Sequence, residues 1–84
     1  MMPRMHISVI KTPCKLLMEI TPSAENLQRI TNFITQKKIL LHDLRYQEIK
    51  SQNAVVYVHC SIDRSEMPAT MDELRRLVIK LDHI

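Results

Sequence analysis

Across residues 25–46 the apolar positions change from helical to strand spacing with no glycine at the join. Leu27, Ile30, Phe33 and Ile34 recur at the spacing of one helix face, while Gln28, Arg29, Asn32, Thr35 and Gln36 fall on the other. From Leu40 the period shortens toward two: Leu40, Leu44 and Tyr46 share one face of a strand running to Ile49, and Asp43, Arg45 and Gln47 take the other.

The remaining elements follow from the same periods and from turn chemistry. A hairpin is expected at the N-terminus, with residues 6–10 extended, a bend at Lys11, Thr12 and Pro13, and residues 15–20 extended again. Thr21 and Pro22 then open the first helix, threonine as the cap and proline at the first helical position, where its missing N–H costs nothing. Ser51, Gln52 and Asn53 form a polar turn in which Asn53 accepts the left-handed conformation. Residues 54–62 are apolar on both sides, with Val56, Val58, Cys60 and Ile62 on one and Val55 and Tyr57 on the other, the pattern of a central strand. Pro68 keeps residues 64–69 a loop, and Thr70 with Glu73 forms a capping box. The helix it opens has the stripe Met71, Leu74, Leu77, Val78 and Leu81. The resulting order is β-β-α-β-β-α with no room for a further strand. This predicts an α+β, ferredoxin-like two-layer sandwich: a four-stranded antiparallel sheet with two helices on one face, the N-terminal hairpin replacing the usual last strand.

At 84 residues the chain is expected to be one domain, residues 1–84, with 1–5 a flexible N-terminus. A core of this size only just outweighs conformational entropy, which favours association. No apolar run is long enough to span a bilayer, and the N-terminus lacks a secretory pattern, so a cytoplasmic protein is expected. Cys14 and Cys60 read as isolated thiols, because two cysteines outside any C-x-x-C pair make no disulfide framework. The net charge of +3 rests on scattered lysines and arginines, which points away from nucleic acid.

Zero glycine excludes more than charge does, since average usage predicts roughly six. The phosphate-binding loop, the dinucleotide fingerprint and the nucleophile elbow each need glycine for a tight turn or close backbone approach. His59 and Cys60 are neighbours on a strand and point to opposite faces, as do His42 and Asp43, so no metal site is expected. Ser8, Ser61 or Cys60 pairs only on paper with His59, Asp63 or Glu66, and no spacing joins them into a nucleophile, base and orienting group. No catalytic residues and no cofactor are expected, and the chain reads as a non-enzyme.

Four segments, KLLMEI, ENLQRITNFITQKKILLHDLRY, NAVVYVHCSID and MDELRRLVIKLDHI, resemble the ACT-domain family, and within it the small regulatory subunits of acetolactate synthase. The likeness covers residues 15–84. It implies a non-catalytic regulatory or assembly module of branched-chain amino-acid biosynthesis, a homodimer built by joining sheets side by side, and a large catalytic subunit as partner. It also implies an amino-acid effector held between the first strand-to-helix loop and the start of the second strand. In this sequence those positions are Pro22, Ser23, Ala24, Glu25, Asn26 and Leu40. A helix N-terminus offers free N–H groups to a carboxylate, which suits that role. The pattern departs from the family at Ser23 and Lys38, where glycine is usual, and at Leu40, where asparagine is common. Two other functions remain open: a ferredoxin-like homo-oligomeric interaction domain, and an RNA-binding sheet using Tyr46 and Tyr57.

Overall fold

Lys11–Ile20 is the first strand among the described residues, β1, and it runs straight through Pro13 with Cys14, Leu16, Met18 and Ile20 buried on alternate positions. The computed structural model describes residues 10–49 and 53–84. β1 is followed by helix α1 (Ala24–Gln36), strands β2 (Leu40–Ile49) and β3 (Asn53–Asp63), a 3-10 turn at Arg64–Glu66, helix α2 (Met67–Leu77) and strand β4 (Lys80–His83). The strands form one antiparallel sheet in the order β2-β3-β1-β4. Ile30, Phe33 and Ile34 of α1 and Met71 and Leu74 of α2 join Leu16, Met18, Ile20, Val56, Val58 and Ile62 in one core on one side of that sheet. The α+β class and the four-stranded sheet with two helices are as the sequence predicts.

The closing strand is not. It comes from the C-terminal side: β4 pairs with β1 from Leu16 opposite His83 to Glu19 opposite Lys80. The expected helix to Leu81 ends at Leu77, because the open edge of β1 offers backbone partners that a helix end lacks. Ile79 N–H donates to Glu19 O at 2.8 Å and Ile84 N–H to Lys15 O at 2.9 Å. The order is therefore β-α-β-β-α-β. Lys11, Thr12 and Pro13 form no bend and pair with Asp63, Ile62 and Ser61. Proline is tolerated there because β4 stops short of it, leaving β1 an edge strand at that level. The first arm of the expected hairpin, residues 6–9, lies outside the described residues, as do residues 1–5, Ser51 and Gln52.

The caps also differ. Ser23, not Thr21, is the N-cap of α1: its Oγ accepts from Asn26 N–H at 3.0 Å, while Asn26 Nδ2 donates to Thr21 O at 2.9 Å. Pro68 lies in the first turn of α2 instead of before it, and Thr70 is a buried helical residue, so the capping box is not formed. Asn53 begins β3 opposite Ile49. Among the described residues the left-handed one is Lys38, at φ 56°. Lys38 N–H donates to Thr35 O at 3.2 Å and Ile39 N–H to Ile34 O at 3.1 Å, the paired bonds of a Schellman close. Relief of the Cβ clash makes Lys38→Gly expected to stabilise the fold by about 0.5–1 kcal/mol after the added unfolded-state entropy is subtracted. Urea unfolding checks this; an unchanged or lowered midpoint contradicts it.

Candidate functional site

The loop that carries five of the six expected effector residues leaves the sheet at Ile20, opposite Ala54. Leu40, the sixth, enters it opposite Ser61. From Ala54 to Ser61 is seven residues of β3, roughly 23 Å at about 3.3 Å per residue. One copy of the chain therefore holds the two halves at opposite ends of its sheet. Within the loop, Ser23 is occupied as a cap, Ala24 is exposed, Pro22 is half-buried, and Glu25 reaches Arg29 at 3.2 Å. That ion pair draws the Glu25 carboxylate along the helix flank.

A second region was not visible in the sequence. Among the described residues nothing covers the sheet face away from the helices, and a concavity of about 810 Å³ lies on it, lined by Lys15, Leu17, Asp43, Arg45, Tyr57 and His59 among others. Leu17, Val55 and Tyr57 form its half-buried centre. Tyr46 lies opposite Val56, on the helix side, so the open face carries one tyrosine and not the pair expected. Base stacking on a sheet uses two or three aromatics, and Tyr57 alone is a poor platform.

A bulge in β2 shapes the upper end of this face. The pairing steps from Leu41 opposite Cys60 to Asp43 opposite His59, leaving His42 as the extra residue. The bulge reverses the parity of Leu40, which pairs with Ser61 and so leaves the face of Leu44 and Tyr46. It also brings His42 and Asp43 to the same side, contrary to the alternation expected. His42 Nε2 and Ser61 Oγ share a hydrogen bond of 2.8 Å, and the His42 and His59 rings lie 4.9 Å apart. Asp43 is bonded to Arg45 at 2.9 Å, not to an imidazole, so this serine and histidine lack the orienting carboxylate of a catalytic triad. Among the described residues no three histidine, cysteine, aspartate or glutamate side chains could hold a metal ion.

On the helix side, Cys14 and Cys60 are directly opposite on β1 and β3, with sulfurs 3.5 Å apart. They are neighbours in space, not isolated thiols. Their register comes from the pairing of strands 46 residues apart in the chain. Burial pushes the Cys14 thiol up, and burial followed by the bond to Cys14 pushes Cys60 up to about 12. Both stay protonated and unreactive at neutral pH. Among the described residues no helix is long and apolar enough to cross a membrane.

No family model matches the sequence, and no curated protein matches it. The solved structures similar to it include two ACT-like or related domains. One is the ACT domain from GTP pyrophosphokinase of Chlorobium tepidum, 12% identical over 89% of this chain and 100% of that one, with a TM-score of 0.74. The other is the C-terminal domain of the MgtC protein from Mycobacterium tuberculosis, 15% identical over 95% and 92%, with a TM-score of 0.67. At these identities the likeness is one of fold: the chain has the ACT-like, ferredoxin-like arrangement.

Proposed function

We propose that this chain is a non-catalytic regulatory module that binds a small amino acid between two copies of itself and transmits that binding to a larger biosynthetic enzyme in the cytosol. The observation that carries this reading is the end-to-end match of its β-α-β-β-α-β order to an ACT domain. The resemblance of its segments to acetolactate synthase small subunits makes a branched-chain amino acid the effector and the large synthase subunit the partner. The separation of the loop at Pro22 to Asn26 from Leu40 supports a shared site, since residues at opposite ends of one sheet meet only across copies. In such a site the first turn of α1 receives the carboxylate, and Leu40, half exposed at 52%, receives the branched side chain of the ligand.

Valine, leucine and isoleucine are each expected to raise the melting temperature of the protein if they bind. At about one hundred times the dissociation constant the gain is about 2.7 kcal/mol. Leu40→Asp should abolish the shift while leaving the unliganded melt nearly unchanged, because Leu40 is exposed. If none of the three shifts the melt at millimolar concentration, the effector reading fails. Co-purification of a thiamine-dependent synthase tests the partner separately.

A further inference from the structure

The helices cover one face of the sheet, and toward the other β3 turns the apolar pair Val55 and Tyr57 between the polar positions Asn53 and His59. On the open face Val55 and Tyr57 of β3 lie beside Glu19 and Leu17 of β1, and Ile84 stands 64% exposed beyond β4. Charges of both signs border this strip, Asp43 and Arg45 on β2 and Lys80 and Asp82 on β4, and they differ from one level to the next. Following the register across at the level of Tyr57 gives Arg45 on β2, Tyr57 on β3, Leu17 on β1 and Asp82 on β4. One outer edge of the row is thus cationic and the other anionic. The Arg45 and Asp82 side chains are 77% and 49% exposed.

We infer that two copies of this chain pack open face to open face about a twofold axis parallel to the strands, β2 of each lying over β4 of the other. This symmetry sets Arg45 of one copy against Asp82 of the other, twice, and Tyr57 against Leu17, twice. The alternative twofold axis, perpendicular to the strands through the same row, stacks Arg45 on Arg45 and Asp82 on Asp82. Like charges opposed in this way cost enough to reject it. Sheets packed in an aligned sandwich lie about 10 Å apart, within reach of an arginine and an aspartate extended toward each other. The present partners of these groups are no obstacle. Arg45 to Asp43 and Lys80 to Asp82 at 3.8 Å are exposed pairs of little strength. Leu40 lies beyond the row that ends at Ile84, so this contact uses none of the effector residues and goes beyond the function proposed above.

The test uses two single variants of the full chain, Arg45→Asp and Asp82→Arg, followed by sedimentation across a dilution series. The wild type should self-associate through this face, and each variant alone should weaken that association on the order of tenfold or more, since each opposes like charges at both contacts. Mixed in equal amounts, the two variants should restore the wild-type affinity. In the mixed dimer one contact joins the two substituted positions, with the charges exchanged between them, and the other joins the original Arg45 and Asp82. Circular dichroism confirms that both variants fold, as expected for exposed positions. A wild type that is monomeric throughout overturns the inference and leaves the face to another partner. A dimer unaffected by either variant indicates pairing through a strand edge and overturns it, as does a mixture that stays monomeric. The amino-acid melting experiment above reports on the effector site whatever these outcomes are.

Discussion

Replacing Ile30 with alanine is expected to destabilise this protein by about 2–5 kcal/mol, because the side chain is fully buried and its loss leaves a cavity between helix and sheet. A chain of this length has only about 4–13 kcal/mol in total, so the substitution removes a large share of it. Ile30 lies midway along α1 and is the member of that helix with no exposed surface, so little can collapse into the space it vacates. The melting temperature should fall by about 8 to 40 °C, on the order of 4–8 °C per kcal/mol for domains of this size. Thr31→Ala, one residue away on the exposed flank, removes a hydroxyl that bonds only to Gln28 O, and should change stability by less than about 0.5 kcal/mol. Equal effects from the two substitutions contradict this assignment of the core.

Alkaline pH should weaken the fold through Cys60. Its thiol, ordinarily at 9.0, is pushed up to about 12 in the native protein, first by burial and then by its bond to Cys14. The unfolded chain loses this proton from about pH 9, while the folded chain keeps it. Stability from this group is therefore complete below pH 9 and is lost as pH rises from 9 toward 12, at about 1.4 kcal/mol per unit. Urea unfolding between about pH 8 and 10.5 measures the slope. The comparison is with Cys60→Ala, which should start less stable at about pH 8 and lose less per pH unit above 9. Parallel slopes for the two proteins would falsify the assignment.

The existence and type of α1, β2 and β3 are legible, because each carries a strong period, while the bulge in β2 and the left-handed Lys38 between α1 and β2 are not. Even so, the helix starts at Ser23 and not at Thr21, a competition between two capping residues that only the course of the backbone decides. The C-terminal segment misleads for a different reason. Leu77, Val78 and Leu81 fit helical spacing, but Val78 and Ile79 are β-branched, and a strand pairing is on offer at an edge of β1 that no local pattern reveals. The candidate effector residues come from resemblance. Their division between opposite ends of the sheet comes from the register.

By itself the sequence determined the class of the fold, the core-facing residues of α1 and β3, and the exclusion of glycine-dependent phosphate and nucleophile motifs. Those are properties of composition and of spacing over a few residues, and physical chemistry reads them locally. The tertiary structure alone decided that β4 closes the sheet, that Lys38 takes the left-handed turn, that a bulge turns His42 and Asp43 to one side, and that Cys14 meets Cys60. It also decided that Arg45 and Asp82 stand at opposite edges of the sheet face turned away from the helices. Each of these depends on which backbone groups of distant strands find one another, a pairing set by the whole sheet and written in no single segment.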